Sequence, residues 1–485
     1  MLLGSESPRN NLAWLASGQV ALPADPINPG EAAGFTATFT APTTPGIYNF
    51  TWGMVQAGAQ WFGQIATKRI RVGNGRFIPG DLIVMQTVAT ASDAISANGT
   101  ALVLKNFSLS SLTTTFEVDL PINGPGAMIS GTSPFTGMID LSSDRTYLVV
   151  GGYNTTLPYS TTVEAAGSQV PRVIGTVNAG GNFVLSATTT PPTGFTGGTF
   201  RGAVSDGQGN FWGGAQNSGI YYFGNNSSPV QISPAGSGAI RNMIMIKGTP
   251  YFSTSQFPVT SSFGIAAFTN AAPTTPQEPV LAINSGNAVI TGATGTANPK
   301  GFCVNSNLTI AYLADLRPIA TGSVNTGGGI YRYNGTGTGL PGSWTYQYTL
   351  TNNLYGNGGA FQEVLADFSG ANPKIYATAG AAASGATAGT DLVSAIDTGA
   401  ATTTFTLLAT APAAAPFRGL TFAPQPVSLS VARSGTNVVI SWPGGGTLLS
   451  AGVVTGPYSP VAGLPTSPYT NAAPGTAQFY AVGVP

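Results

Sequence analysis

The sequence predicts an all-β protein with a partial β-sandwich, a β-propeller and a small C-terminal β-sandwich, in that order. Short runs rich in Val, Ile, Phe and Tyr recur between Gly, Asn, Asp and Pro, as in successive short strands. Helical periodicity is nearly absent. Only 7% of the residues are charged, whereas the 66 glycines and 36 prolines make up about a fifth of the 485-residue chain. Hydroxyls, amides and backbone must therefore cover the surface in place of ions.

The first predicted domain covers residues 1–73 and is rich in aromatic side chains. Phe35, Ala37 and Phe39 alternate with threonines, which predicts a half-buried strand. In the following run, "IYNFTWGM", the side chains Tyr48, Phe50, Trp52 and Met54 fall on one face. A last strand, "WFGQIATKRIRVG", ends near Val72. One aromatic face on two or three strands needs a second sheet to cover it, which predicts a sandwich.

These residues also carry a family resemblance. "INPGEAAGFTATFTAPTTPGIYNFTWGMVQAGAQWFG" resembles the second half of the four-tryptophan immunoglobulin-like domain, and "LLGSESPRNNLAW" resembles its middle portion. The resemblance implies a partial immunoglobulin-like sandwich in which the aromatic side chains are mainly core. An exposed Trp61 that docks a partner is the alternative. The first strands of that domain are missing, so we expect an incomplete N-terminus, which would also explain why no signal peptide is visible.

The second predicted domain, residues 74–426, is a β-propeller. "FRGAVSDGQGNFWGGAQNSGIYYFGNNSSPVQIS" divides into four short strands and three turns, which is the plan of one blade. "FRGLTFAP" near residue 420 repeats the first strand alone, whereas "GDLIVMQTV" and the two runs after it supply three strands without a first one. The two ends therefore complement each other and close a ring of six blades, with seven left open. The region resembles an uncharacterised family of bacterial extracellular β-propellers.

The tail, residues 427–485, is the third predicted domain. "VSLSVARSGTNVVISWP" alternates as two strands around a turn, with Trp442 pointing inward. It resembles the small fibronectin-type sandwich found at the C-terminus of secreted bacterial proteins.

Composition excludes several classes of function. The chain has no histidine and one cysteine, Cys303, so Ser-His and Cys-His pairs and the commonest metal ligand are absent, which leaves only an oxygen-ligand calcium site to consider. Its 17 basic and 17 acidic residues form no basic stripe, so we expect no nucleic-acid partner. No apolar run is long enough to span a membrane. We expect no metal and no cofactor, because the two best calcium-type loops are explained as ordinary turns.

Four cations are candidate ligand-binding residues at the mouth of the propeller channel. Arg201, Arg241 and Arg418 stand at the start of predicted innermost strands, and Lys300 stands at a similar place. Such a ring would favour an anion, since arginine can bind carboxylate or phosphate through two hydrogen bonds. The alternative is that each cation pairs locally with a carbonyl or with a neighbour such as Asp206.

The sequence therefore predicts a non-catalytic, secreted or cell-surface bacterial protein that binds or adheres. Its partner would be a glycan or another component of the cell envelope. The first alternative is a structural protein of a surface layer or filament, which would self-assemble. The second is a sialidase-type hydrolase, which would need a tyrosine nucleophile and paired acids. An acidic pair in the channel would favour that second alternative.

Overall fold

The computed structural model describes most of the chain, in segments separated by short gaps. The described residues are 1–6, 8–22, 32–43, 46–56, 60–72, 75–88, 95–164, 170–190, 198–224, 228–233, 239–257, 262–286, 296–317, 320–321, 324–325, 327–339, 341–351, 359–381, 390–401, 403–412, 414–442, 446–472 and 477–483. Within these segments every regular element is a β-strand, which confirms the predicted all-β class. No helix in them is long and apolar enough to cross a membrane.

The chain divides into two compact units, Met1–Arg76 and Phe77–Pro485. The predicted boundary between residues 73 and 74 lies outside the described residues. The first unit contains one antiparallel sheet in the order β2-β1-β3-β4. Its strands are β1 (Leu2–Ser5), β2 (Gln19–Ala21), β3 (Gly46–Gln56) and β4 (Gln60–Val72).

The predicted strand around Phe35 is wrong, although its alternation is real. Residues 32–43 form no strand, yet Phe35, Ala37 and Phe39 are half-buried and the residues between them are exposed. The three side chains pack against a core built on Trp14 and Trp52. Alternation therefore reports which side chains reach the core, whereas a strand also needs a neighbouring backbone to pair with.

The second unit contains six four-stranded antiparallel sheets, the blades of a propeller, in the described residues. The first blade has the order β30-β5-β6-β7, and the second has the order β11-β10-β9-β8. The strands of these two blades are β5 (Leu82–Val88), β6 (Ala101–Phe107), β7 (Thr114–Asp119), β8 (Ile139–Leu141), β9 (Tyr147–Tyr153), β10 (Arg172–Asn178), β11 (Phe183–Thr188) and β30 (Phe417–Phe422).

The third and fourth blades follow the chain order, β12-β13-β14-β15 and β16-β17-β18-β19. Their strands are β12 (Phe200–Ser205), β13 (Phe211–Ala215), β14 (Gly219–Tyr222), β15 (Val230–Gln231), β16 (Ile240–Ile246), β17 (Thr249–Phe257), β18 (Ser262–Ala267) and β19 (Val280–Asn284). The third blade is the unit that the sequence pattern divided into four strands.

The fifth blade, β20-β21-β24-β25, carries a separate two-stranded hairpin, β22-β23, and the sixth blade is β26-β27-β28-β29. The strands are β20 (Pro299–Val304), β21 (Ile310–Asp315), β22 (Ala320–Thr321), β23 (Val324–Asn325), β24 (Gly329–Gly335), β25 (Trp344–Leu350), β26 (Gly359–Asp367), β27 (Lys374–Ala381), β28 (Thr390–Ile396) and β29 (Thr406–Ala411).

The ring closes as the sequence predicted. Strand β30 pairs antiparallel with β5, with Leu420 opposite Val84 and Phe422 opposite Leu82. The innermost strands β8, β12, β16, β20, β26 and β30 contact one another in that cyclic order. Six apolar clusters fill the interfaces between neighbouring blades. Burial between the blades, and not within a single sheet, therefore supplies the core of the ring.

The end of the chain forms two three-stranded sheets, β31-β32-β35 and β34-β33-β36. Their strands are β31 (Ser430–Ser434), β32 (Asn437–Ser441), β33 (Thr447–Ala451), β34 (Ser459–Pro460), β35 (Tyr469–Ala472) and β36 (Phe479–Gly483). Trp442 is 5% exposed and belongs to a small core with Ile440 and Leu448, so it points inward as predicted.

Candidate functional site

A repeated triplet lies at or near the start of the innermost strand of each blade. The triplets, in chain order, are "FTG" (135–137), "FRG" (200–202), "IRN" (240–242), "PKG" (299–301), "FQE" (361–363) and "FRG" (417–419). In the last five triplets the pairing register shifts at this point, as at a β-bulge. A bulge redirects side chains, so the second and third residues of each triplet share a special geometry.

The four predicted cations occupy second positions of these triplets. Arg201 and Arg418 are 4% and 0% exposed, Lys300 is 0% exposed, and Arg241 is half-buried. Burial lowers the pKa of Arg201 to about 9, of Arg241 and Arg418 to about 10, and of Lys300 to about 8. The charges of Arg241 and Arg418 also lower the Lys300 pKa, so the cations share one electrostatic neighbourhood.

Arg201 pairs with neighbouring groups, which was the alternative to ligand binding, but its partners do not include Asp206. Its guanidinium donates to Thr199 Oγ1 at 2.7 Å, to the Ile240 carbonyl at 3.0 Å and to Gln216 Oε1 at 2.5 Å. Arg241 is less enclosed and donates to Ser255 Oγ at 2.9 Å. Anion binding by the ring stays a prediction, and Arg241 is the cation best placed to meet a ligand.

An aromatic side chain lies between the two arginines. The Phe135 ring has the Arg241 guanidinium 3.8 Å from its centroid and the Arg201 guanidinium 4.5 Å away. Glu164 accepts from the Ser133 amide at 3.0 Å in the same region. Its charge raises the pKa values of Arg201 and Arg418 against the larger effect of burial. This end of the channel therefore has an acidic neighbour that the sequence did not point to.

Lys300 belongs to a buried polar group formed by the inner strands β16, β20 and β26. Its ammonium donates to Gln362 Oε1 at 3.2 Å and lies 3.6 Å from Oε1 of Glu363. Asn242 Nδ2, on β16, donates to the other carboxylate oxygen of Glu363 at 2.8 Å. Because β20 lies between β16 and β26 in the ring, the Asn242–Glu363 hydrogen bond reaches past one inner strand.

Asn242 and Glu363 are third-position residues of their triplets, and the other four triplets have glycine there. A Cβ atom at Gly301 would lie 2.4 Å from the Glu363 Cα, and one at Gly419 would lie 2.6 Å from the Ile139 amide nitrogen. The inner strands approach too closely at these places for a side chain. Sequence reasoning missed Asn242 and Glu363, yet their departure from glycine in aligned triplets was a usable signal.

A cavity of about 470 Å³ lies in the central channel. Strands β8, β16, β20, β26 and β30 all contribute to its wall, and Glu363, Asn242 and Asp140 line it. Glu363 is 3% exposed, and its Oε1 accepts no hydrogen bond from the described residues. Asp140 Oδ2, on β8, accepts from the Met245 amide at 2.8 Å. The cavity therefore brings together two carboxylates that the sequence did not predict as site residues.

Burial dominates the ionisation of both carboxyl groups. Desolvation raises the pKa of Glu363 to about 7, although nearby Lys300 acts in the opposite direction. Desolvation also raises the pKa of Asp140 to about 7, against hydrogen bonds from the Met245 and Leu141 amides and the charge of Arg145. Both groups can thus gain or lose a proton near neutral pH.

The structure also places Cys303 and Trp61, two other residues that the sequence analysis considered. Cys303 is buried against the sixth blade, and burial raises the pKa of its thiol. In the first unit, Trp61 lies over Gly4 and Gly53 and has the Arg9 guanidinium 5.1 Å from its centroid. Docking of a partner by Trp61 stays a prediction. Among the described residues no group of three or more Cys, Asp or Glu side chains could hold a metal ion.

No family model and no curated protein matches the chain. Among solved structures, similar ones are a candidate 6-phosphogluconolactonase from Bacteroides fragilis (12% identity, TM-score 0.37) and the periplasmic gluconolactonase of Pseudomonas aeruginosa (11%, 0.36). The first match covers 82% of this chain and 98% of that one, and the second covers 83% and 100%. A surface component of the type-IX secretion system of Porphyromonas gingivalis matches at 12% identity and TM-score 0.33, over 81% of this chain and 48% of that one.

The prediction that the protein is not an enzyme is contradicted by this comparison. Two of these similar structures are described as lactonases, so a propeller of this kind gives no ground for a non-catalytic assignment. At these scores the likeness does not carry lactonase activity over to this chain. Function has to be argued from the residues of the channel.

Proposed function

We propose that this protein binds a hydroxyl-rich ligand, a carbohydrate of the cell envelope or surroundings, in the channel cavity of its propeller. The cavity volume of about 470 Å³ falls in the range of small-molecule sites. The carboxylate groups of Glu363 and Asp140 line the cavity with the Asn242 amide, and carboxylate oxygens are acceptors suited to the hydroxyl groups of a sugar. Polar groups of fixed position in a concave site are what specificity for a sugar requires.

The observation that carries this proposal is that the Oε1 atom of Glu363 is buried and accepts no hydrogen bond from the described residues. A buried carboxylate oxygen without a hydrogen bond is costly. This atom lies on a side chain that is 3% exposed and lines the cavity. Its only cation within an ion-pair distance in the described residues is Lys300, at 3.6 Å, which is beyond hydrogen-bond range. A ligand hydroxyl donated to Oε1 would complete the site.

The experiment is a glycan-array screen of the full chain, followed by titration calorimetry with each glycan that binds. Glu363→Gln keeps the side-chain shape and removes the charge, and we expect it to weaken binding by about tenfold or more. Glu278→Gln, at an exposed position, is the matched control and should bind as the native protein does. Absence of any bound glycan, or equal affinity in Glu363→Gln, would contradict the proposal.

The remaining assignments support an extracellular setting. We propose that the first unit is a partial immunoglobulin-like domain of the four-tryptophan type, and that the C-terminal sheets form a fibronectin-like module. Two buried tryptophans, Trp14 and Trp52, in the first unit and the inward Trp442 in the tail support these assignments. Modules of this kind beside a propeller are typical of secreted or cell-surface proteins, so we propose that location.

A further inference from the structure

Arg241 is a half-buried cation whose hydrogen bonds use only part of its guanidinium. Its Nε and Nη2 atoms donate to one hydroxyl, Ser255 Oγ, at 3.2 and 2.9 Å. Its Nη1 atom donates to none of the described residues and is not fully buried. No carboxylate of those residues lies within 4.0 Å of the guanidinium. A partly desolvated cation without a counter-charge is costly, so an anion at Nη1 would stabilise it.

The nearby acids are engaged with other cations. Burial lowers the pKa of Arg241, and the charge of Asp315 opposes that effect. The two carboxylate oxygens of Asp315, however, accept from the Arg317 guanidinium at 2.9 and 3.1 Å. The charge of Glu164 acts instead on Arg201, whose pKa it raises against the larger effect of burial. Within the described part of the chain, Arg241 is therefore left without a carboxylate of its own.

Arg201 adds a second positive charge at the same place. The guanidinium carbons of Arg241 and Arg201 lie 3.8 and 4.5 Å from one centroid, that of the Phe135 ring, so they are at most about 8.3 Å apart. Burial, followed by the charge of Arg241, lowers the pKa of Arg201. Arg201 is 4% exposed and already donates to three protein oxygens. It can therefore attract an anion by its charge, while Arg241 supplies the hydrogen bonds.

We propose that Arg241 binds the carboxylate of an acidic sugar at the end of the channel where the inner strands begin. This inference rests on the proposed carbohydrate binding and adds that the bound glycan is anionic. Arg241 directly precedes Asn242, which lines the cavity, so the carboxylate site and the cavity lie on the same inner strand. One guanidinium can hold a carboxylate through two hydrogen bonds. A phosphate dianion would bring a second negative charge toward Glu164, so a singly charged group fits better.

The test uses the full chain and pairs of ligands that differ in a single carboxylate. The pairs are the methyl glycosides of glucuronate and glucose and of galacturonate and galactose, together with each acidic glycan that binds in the array and its carboxyl-reduced form. Titration calorimetry at pH 8 and about 50 mM salt keeps the screening of charges low. We expect the acidic member of a pair to bind about tenfold more tightly or better, because it makes a charge-assisted hydrogen bond.

Four variants assign that preference to the arginine. Arg241→Met should lower affinity for the acidic member about tenfold and leave the neutral member unchanged. Arg241→Lys keeps the charge without the fork of donors and should give an intermediate loss. Glu164→Gln still accepts from the Ser133 amide but removes a nearby negative charge, so it should tighten acidic binding about twofold or more, a gain that a folding defect would not produce. Arg433→Met, at an exposed arginine of the tail, is the matched control and should bind as the native protein does.

A thermal measurement tests the anion site without any oligosaccharide. The native Tm should be about 1–2 °C higher in about 100 mM sodium glucuronate than in sodium chloride of equal ionic strength, and Arg241→Met should show no such difference. Inorganic phosphate and sulfate, added as competitors, should displace glucuronate only at higher concentrations than unlabelled glucuronate does.

The outcomes separate this inference from the proposed function. Equal affinity for both members of every pair, or an Arg241→Met variant that loses both members equally, would overturn the carboxylate site and leave carbohydrate binding standing. Stronger competition by phosphate or sulfate than by glucuronate would overturn the carboxylate assignment. If no glycan of either kind binds, the proposed function fails, and the Tm comparison still decides the anion site: equal values in glucuronate and chloride would overturn it as well.

Discussion

Removing the Lys300 ammonium should destabilise the propeller in a way that depends on pH. Lys300 is 0% exposed and lies 3.6 Å from the Glu363 carboxylate, which is 3% exposed. Lys300→Met keeps most of the side-chain volume and leaves the carboxylate without its cation. Removing one partner of a buried ion pair lowers the free energy of unfolding by about 3–5 kcal/mol, because the remaining charge stays desolvated without a counter-charge. We expect a loss of up to that size in the free energy of unfolding at pH 8, where the ammonium is about half protonated because burial lowers the Lys300 pKa to about 8.

The pH dependence follows from the Glu363 pKa. Its folded value, about 7, lies above the usual value of 4.5, so this group lowers stability fully above pH 7 and not at all well below pH 4.5. Each pH unit in between is worth about 1.4 kcal/mol. From pH 8 to pH 5 the native protein should gain about 3 kcal/mol of stability from this group. Without Lys300 the Glu363 pKa rises further, so the variant should gain more than the native protein over the same range and its deficit should narrow.

Urea unfolding at pH 5 and pH 8 measures both quantities. Lys247→Met, at an exposed lysine, is the matched control and should change the free energy of unfolding by less than about 0.5 kcal/mol. The double variant Lys300→Met with Glu363→Gln removes both charges and should recover most of the loss at pH 8. A deficit that is the same at both pH values, or a double variant no more stable than Lys300→Met alone, would refute the reasoning.

Three further expectations test contacts within the propeller. Gly301→Ala places a Cβ 2.4 Å from a backbone atom of the next strand and should destabilise the propeller by about 2 kcal/mol or more in urea unfolding, whereas Gly126→Ala, in open space, should not. Arg241→Ala removes a half-buried cation and should weaken binding of acidic glycans in calorimetry without lowering Tm by more than a few degrees; unchanged affinity would end the anion-binding prediction. Asp397→Asn weakens a buried carboxylate that accepts from Tyr348 at 2.6 Å and Arg332 at 3.2 Å, and should cost about 2–4 kcal/mol; a loss no larger than that of Tyr348→Phe would contradict this.

The propeller could be predicted from the sequence because its signal repeats. Every blade carries turn residues between short apolar runs. The lone strand that begins at residue 417 supplied the innermost strand of the blade whose other three strands begin at residues 82, 101 and 114. The positions of Arg201, Arg241, Lys300 and Arg418 followed from the same repeat. Their partners did not, because Gln216 and Ile240 lie 15 and 39 residues from Arg201, where only the pairing of strands brings them together.

The two cavity carboxylates, Glu363 and Asp140, could not be predicted from the sequence for a different reason. Glu363 stands in a triplet beside a second polar residue, and the sequence gives no direction to either side chain until the bulge is known. Asp140 lies on a three-residue strand, too short to show a pattern. Neither residue is near the other along the chain. The cavity forms only when the ring closes and sets β8, β16 and β26 around one axis.

The second and third positions of the triplets thus have different roles in the inner strands. Second-position side chains tie blades together: Arg201 donates to the carbonyl of Ile240 in the next blade, and Lys300 donates to Gln362 in the next one. Third positions face neighbours so closely that glycine is required in most blades. Asn242 and Glu363 are the exceptions among these triplets, and they bond to each other. Substitutions at Arg201 and Lys300 should therefore act mainly on stability, whereas Asn242 and Glu363 also line the cavity, so substitutions there should change the cavity as well.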